Sequence, residues 1–272
     1  MPRDTSLGEP RRGLLFRRGP QPRRPPSTAH PRARIADGGA VPLKTCTPVP
    51  PHATVELTKL LENIFRSVNI ALVNELSMLT DRMGIDIWEV VDAASTKPYG
   101  FMRFEPGPGM GGHCLPVDPF YLSWRAREFD MSLELVELSG KVNQQMPYHC
   151  VAKVQRTLNQ AGLPVKGARI AVLGVSYKPG VGDIRESPAL KILTLLKGLG
   201  AELRYHDPHV PALREHGLQS VSLDDALEDA DLALIVTAHP EVDHQLVAQR
   251  ARLLVDLRGV TRTLGVAGAV RL

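Results

Sequence analysis

The residues whose types and spacing could do chemistry lie in Pro106-Gly107-Pro108-Gly109-Met110-Gly111-Gly112-His113-Cys114-Leu115-Pro116-Val117-Asp118-Pro119. Glycines at this density let a backbone approach a ligand or another chain segment closely. They place a thiol just ahead of Asp118-Pro119, which reads as a helix start with the carboxylate as N-cap and the proline at the first helical position. A helix N-terminus favours the thiolate, the nucleophilic form. The same residues also read as a tight turn between helices, with Cys114 a small buried hydrophobe, the commoner fate of a free cysteine. Gly107-x-Gly109-x-x-Gly112 matches the dinucleotide-binding string. That motif needs a buried strand before it and a helix after it, whereas Phe104-Glu105-Pro106 precedes and prolines follow. His113 adjoins the thiol, but neighbours on an extended chain point apart, so it is not expected to act as its base.

The elements that must position this loop follow from periodicity. From Val55, apolar residues at Leu57, Leu60, Leu61, Ile64, Val68, Ala71, Leu72 and Leu76 keep helical spacing toward a stop at Gly84, one helix of roughly 25–30 residues. Asp86 can cap a short helix through Trp88, Val90 and Val91. A glycine-rich loop then runs from Pro98 to Cys114, and Phe120 to Ala126 continues the helix that Asp118 opens. A further helical pattern from about Ser132 to Ala161 contains Pro147, which should kink or restart it. Beyond Pro164 strands alternate with helices: Arg169–Leu173, Glu202–His206, Leu232–Val236 and Leu253–Asp256 read as strands, Pro188–Leu199 and Leu223–Leu227 as helices. Apolar strands joined by helices indicate a parallel sheet covered on both faces. The expected organisation is a helical unit over residues 52–163 and an α/β unit over 164–272. Ligands bind such sheets at the carboxyl ends of the strands, where Lys178 and Arg258 fall.

Composition bounds the partners. Of 272 residues, 43% are apolar and the net charge is +4. The first fifty carry ten basic residues against three acids, a balance of +7, so the remainder is slightly acidic at about −3. The basic character thus belongs to an Arg/Pro-rich segment, residues 1–51, that cannot bury enough apolar surface to offset ordering. It is expected to be disordered and to be non-native sequence rather than a transit peptide, and the folded part does not call for nucleic acid. No apolar run is long enough to cross a membrane. Cys46, Cys114 and Cys150 form no disulfide framework and no Cys-x-x-Cys pair, which reads as a reduced, cytoplasmic chain. The other histidines read as surface positions and no grouping has metal-ligand spacing, so no metal is expected.

Gly111-Gly112-His113-Cys114-Leu115-Pro116-Val117-Asp118-Pro119-Phe120-Tyr121-Leu122 resembles the catalytic loop of the UDP-glucose/GDP-mannose dehydrogenase family. Glu56-Leu57-Thr58-Lys59-Leu60-Leu61-Glu62-Asn63 resembles the start of that family's long central helix. Gly174-Val175-Ser176-Tyr177-Lys178-Pro179 with Asp183-Ile184-Arg185-Glu186-Ser187-Pro188 resembles the opening of its nucleotide-sugar-binding domain. The wording from Lys97-Pro98-Tyr99-Gly100-Phe101 through Gly109 is most similar to its UDP-N-acetyl-hexosamine 6-dehydrogenases, such as those acting on UDP-N-acetylglucosamine.

The resemblance implies an all-helical central domain followed by a Rossmann-like parallel-sheet domain. The activity it implies is oxidation of a UDP-sugar C6 alcohol to the carboxylate by two hydride transfers to NAD. Carried over onto this chain, Cys114 attacks the intermediate aldehyde, and its thiohemiacetal is oxidised to a thioester that water hydrolyses. Lys59 and Asn63, four apart on one helix face, converge on an oxyanion, and Asp118 handles water and proton. Gly111, Gly112, Lys178 and Arg258 meet the substrate, and the long helix pairs two copies of the chain. The family's N-terminal NAD-binding Rossmann domain has no counterpart in these residues, so the chain is expected to be a truncated form. The alternative is a non-catalytic nucleotide-sugar-binding or dimerising module.

Overall fold

The computed structural model describes residues 52–266 and 268–272; the expectation for residues 1–51 lies outside them. Helix α1 (His52–Met83) is ended by Gly84 at φ +71°, a left-handed stop that suits glycine. Asp86 opens α2 (Ile87–Ser95), its side chain accepting from Trp88 N at 2.8 Å as expected of the cap. The glycine-rich loop follows, then α3 (Asp118–Ala126) and α4 (Glu134–Gln160).

Pro147 neither breaks nor restarts α4, which runs through it. The ring cannot donate to the carbonyl of Asn143 four residues earlier. That carbonyl instead faces Gly109, 3.0 Å from where a β-carbon there would lie. The proline thus frees an acceptor on the face of α4 that meets the loop.

Strands β1 (Arg169–Leu173), β2 (Glu202–His206), β5 (Leu232–Ile235), β6 (Leu254–Asp256) and β7 (Val270–Arg271) form one parallel sheet in the order β2-β1-β5-β6-β7. Helices α5 (Pro188–Gly198), α6 (Leu223–Leu227) and α7 (His244–Arg250) connect them, with a small antiparallel pair, β3 (Ala212–Leu213) and β4 (Leu218–Gln219). Sequence periodicity missed α7, β7 and the β3–β4 pair. Two-residue strands show no period, and α7 buries a single apolar side chain within its span, Val247.

The period of two on β1 divides the core. Ile170 and Val172 point to one face, with Ile192, Leu193 and Leu196 of α5 and Met146, Cys150, Val154 and Leu158 of α4. Ala171 and Leu173 point to the other, with Leu227 of α6 and Val247 of α7. The second half of α4 is therefore part of the sheet's own cover, and the described residues form one compact unit. The chain leaves β1 for β2 on one side and returns to β5 on the other, which puts the switch point of the sheet at the carboxyl ends of β1 and β5. Among the described residues, no helix is long and apolar enough to cross a membrane.

Candidate functional site

The glycine loop is inlaid between the helices and the carboxyl edge of the sheet, with other parts of the chain packed closely against its glycines. A β-carbon on Gly111 would lie 2.7 Å from Tyr177 Cβ and 2.8 Å from the Glu186 carbonyl; one on Gly107 would lie 2.8 Å from an Arg258 guanidinium nitrogen. Gly112, at φ +92°, lies against the Tyr177 ring and donates its N–H to the Arg185 carbonyl at 2.9 Å. We therefore expect Gly111→Ala to cost about 1–3 kcal/mol, because backbone atoms at Glu186 cannot yield as a side chain tip can. Thermal unfolding checks it; an unchanged midpoint would show that the loop is not held against Glu186.

The loop is also tied to the helices from beneath. Asn74 of α1, fully buried, accepts from Gly107 N at 2.9 Å and donates to Asn143 Oδ1 of α4 at 2.9 Å. Asn143 donates to the Ser67 carbonyl at 3.1 Å. A satisfied buried amide pair of this kind fixes a register.

Cys114 is exposed at the end of this anchored loop. Its carbonyl accepts from Val117 N at 3.1 Å and Asp118 N at 2.8 Å, so the chain is already turning at the thiol. The expectation that His113 points away rests on an extended chain and is corrected: Cys114 Sγ lies 4.0 Å from His113 Nδ1. The expected Asp118 cap is also corrected. Val117 holds the cap position with no side-chain bond, and Asp118 is the first helical residue. Its Oδ2 accepts from Asn63 Nδ2 of α1 at 2.7 Å. The structure thus brings Asn63 and Asp118 together across two helices. It leaves Lys59 exposed, 3.5 Å from Glu62 on its own helix.

On the sheet side, Asp183 and Arg185 form a bidentate pair, with Arg185 donating at 2.7–3.1 Å. The Arg185 hydrogen bond pulls the Asp183 carboxyl down to about 2. Arg185 holds its proton more firmly than usual, chiefly through Asp183, with Tyr177 and Cys114 also within electrostatic reach. A cation to which sequence reasoning gave no role therefore stands near the thiol, although Arg185 lies within the Asp183–Pro188 stretch that carries the family resemblance. Lys178 Nζ sits over the Tyr177 ring, 5.5 Å from its centre. Arg258, after β6, donates from Nε to the Val236 carbonyl at 2.7 Å beyond β5, and the buried Asp256 accepts from its backbone N–H at 2.8 Å. Burial lowers the affinity of Arg258 for its proton. Lys178 and Arg258 are two cations at the carboxyl edge, where phosphates are met in folds of this kind.

The described residues do not fit NAD. The glycine string lies in an irregular loop, and the space above Gly109 and Gly111 is filled by Asn143, Tyr177, Glu186 and Pro188 instead of being left for a pyrophosphate. Gly174, after β1, has the Thr237 carbonyl 2.1 Å from where its β-carbon would lie.

Two family models match: the UDP-glucose/GDP-mannose dehydrogenase family central domain over residues 53–145, and that family's UDP binding domain over residues 171–263. Among curated proteins the chain is 36% identical to a UDP-N-acetyl-D-mannosamine dehydrogenase of Pyrococcus horikoshii, over 77% of this chain and 49% of that protein. It is 34% identical to an NDP-N-acetyl-D-galactosaminuronic acid dehydrogenase of Ralstonia solanacearum, over 76% and 48%. The solved UDP-D-ManNAc dehydrogenase of Pyrococcus horikoshii superposes with TM-score 0.69 at 32% identity, over 80% of this chain and 51% of that one. The chain spans about half the length of the curated relatives it matches.

Proposed function

Because the chain belongs to the UDP-glucose/GDP-mannose dehydrogenase family, we propose that it serves the NAD-dependent oxidation of the C6 alcohol of a UDP-N-acetyl-hexosamine to the uronate, with Cys114 as nucleophile. The observation that carries this reading is the exposed thiol on a loop anchored between helices and the cationic carboxyl edge of a UDP-binding domain. N-acetylated sugars in the names of two relatives support the choice of sugar.

NAD is the family's hydride acceptor, and the described residues assigned here do the carbonyl chemistry alone. Lys178 and Arg258 hold the diphosphate, and Gly111 and Gly112, packed against Tyr177 and Glu186, set the path of the backbone that carries Cys114 to the sugar. The Cys114 sulfur adds to an aldehyde at C6, forming the C–S bond of a thiohemiacetal, while Asn63 and Lys59 face the developing oxyanion. At the thioester stage water attacks the same carbon, Asp118 takes its proton, and the C–S bond breaks to give carboxylate and thiol.

Formation of NADH from UDP-N-acetyl-hexosamine and NAD⁺, followed at 340 nm, tests the proposal. Cys114→Ala is expected to lower it by on the order of 10³-fold or more, as removal of a covalent nucleophile does. Turnover undiminished in that variant sinks the role given to Cys114. A second reading, a nucleotide-sugar-binding module without turnover, is favoured by the filled space above the glycine string. UDP binding by calorimetry without NADH formation would select it.

The partner in this proposal is a second copy of the chain. Leu57, Leu61, Phe65, Leu72, Leu76, Leu79 and Met83 are all exposed and spaced as one stripe along α1, the pattern of a helix that pairs. Light scattering is expected to give a dimer, and Leu72→Glu with Leu76→Glu a monomer; a wild-type monomer would refute the pairing.

A further inference from the structure

The histidines do not all lie at the surface. His239, after β5, is fully buried, and the turn after β2 brings His209 beside it with ring centres 5.0 Å apart. One ligand atom from each of His209, His239 and Glu241 lies within 4.8 Å of the other two. We propose that these three residues bind a divalent transition metal of the zinc class.

Three observations carry this. First, His209 Nε2 is buried and makes no hydrogen bond, although Glu241 Oε1 is 3.2 Å away. A buried imidazole nitrogen without a partner is costly unless something else takes it. Second, His239 Nε2 lies 3.1 Å from Asp207 Oδ2. Asp207 is itself buried and immobilised, accepting from the N–H groups of Val175, Ser176, His209 and Val210 at 2.7–3.1 Å. With Nε2 donating to that carboxylate, Nδ1 keeps its lone pair. Histidines that ligate metals are oriented in this way, one nitrogen on the ion and the other on a carboxylate.

Third, Nδ1 is met by Gly180 N at 3.2 Å, at the long end of a hydrogen bond. Gly180, at a left-handed φ of +72°, has nothing within 4 Å of where a β-carbon would lie, and an ion on Nδ1 would displace this one amide. Two imidazoles and one carboxylate suit zinc, with a fourth position left for water. Calcium and magnesium favour all-oxygen shells and are not expected here.

The test is a calorimetric titration of the chain with Zn²⁺ in a Cys114→Ser background, which removes the competing His113–Cys114 pair. One Zn²⁺ per chain is expected, with the site also giving visible d–d absorption when Co²⁺ replaces zinc. His209→Gln and Glu241→Gln, both at partly exposed side chains, are each expected to weaken binding at least about tenfold, with unchanged thermal unfolding in the absence of metal. Affinity equal to that of the Cys114→Ser parent in both variants, or no binding by that parent, overturns the site. Magnesium at millimolar level should leave the titration unaltered, and its competition would contradict the ligand class.

Discussion

In the native chain Cys114 is expected to react with iodoacetamide on the order of 10³-fold faster than Cys150. Cys150 of α4 is fully buried between the sheet and α5, and burial pushes its thiol up to about 12. An ordinary thiol titrates near 8.5, so at a given pH near neutrality the buried one presents roughly 10³-fold less thiolate, before any allowance for access. Cys114 is exposed on the glycine loop with the Arg185 cation in electrostatic reach. Peptide mass spectrometry with each cysteine quantified separately reads the two rates. Comparable rates in a folded sample would mean that the α4–sheet core opens readily or that Cys114 is covered.

The second large effect lies far from the loop. Lys153 of α4 is 4% exposed, and its ammonium lies 2.6 Å from Asp81 of α1 and also donates to the Arg271 carbonyl. Arg156 donates to the other oxygen of Asp81. Asp81→Ala leaves a buried ammonium without its counter-ion and is expected to cost about 3–5 kcal/mol. In a unit of this size that lowers the melting point by roughly 6–20 °C. Adding Lys153→Met should recover much of the loss, because removing both charges is far less costly than stranding one. If the double variant melts no higher than the single one, the cost comes from packing and not from charge.

The same cluster gives a pH dependence. Burial pushes the Asp81 carboxyl up, but bonds and charges from Lys153 and Arg156 outweigh it, and the net shift is downward. A carboxyl lowered in the folded state contributes stability that is full above its unfolded value, about 3.9, and is lost as pH falls through the lower folded value. Wild type is therefore expected to lose stability below about pH 4 more steeply than Asp81→Ala.

Much of this arrangement was legible because local signals agreed with the fold. Gly84 after an apolar stripe, Asp86 before Trp88 and the apolar runs of β1 and β5 each carry their meaning within a few residues. Asp118 misled because two features competed at one position. Asp-Pro is a helix-start pair, but the turn begins upstream at Cys114, so the carboxylate was left to meet Asn63, 55 residues earlier in the chain. Asn74 and Asn143 look like breaks in apolar stripes, and only the third dimension shows that they bond each other and the loop between them. Asp207 and His239 are 32 residues apart, each just past the carboxyl end of a different strand. Their meeting depends on both strands ending at the same edge, which no spacing along the sequence reveals.

The central claim is that a nucleotide sugar lies on the carboxyl edge with its C6 beside Cys114. The most direct measurement is the alkylation rate of Cys114, followed by mass spectrometry, with and without saturating UDP-N-acetyl-hexosamine. The account predicts that the rate falls at least about tenfold, that UDP alone protects less, and that Lys178→Ala raises the ligand concentration needed about tenfold. An alkylation rate unchanged by ligand that calorimetry shows to be bound would contradict the account, because the sugar would then be seated away from the thiol.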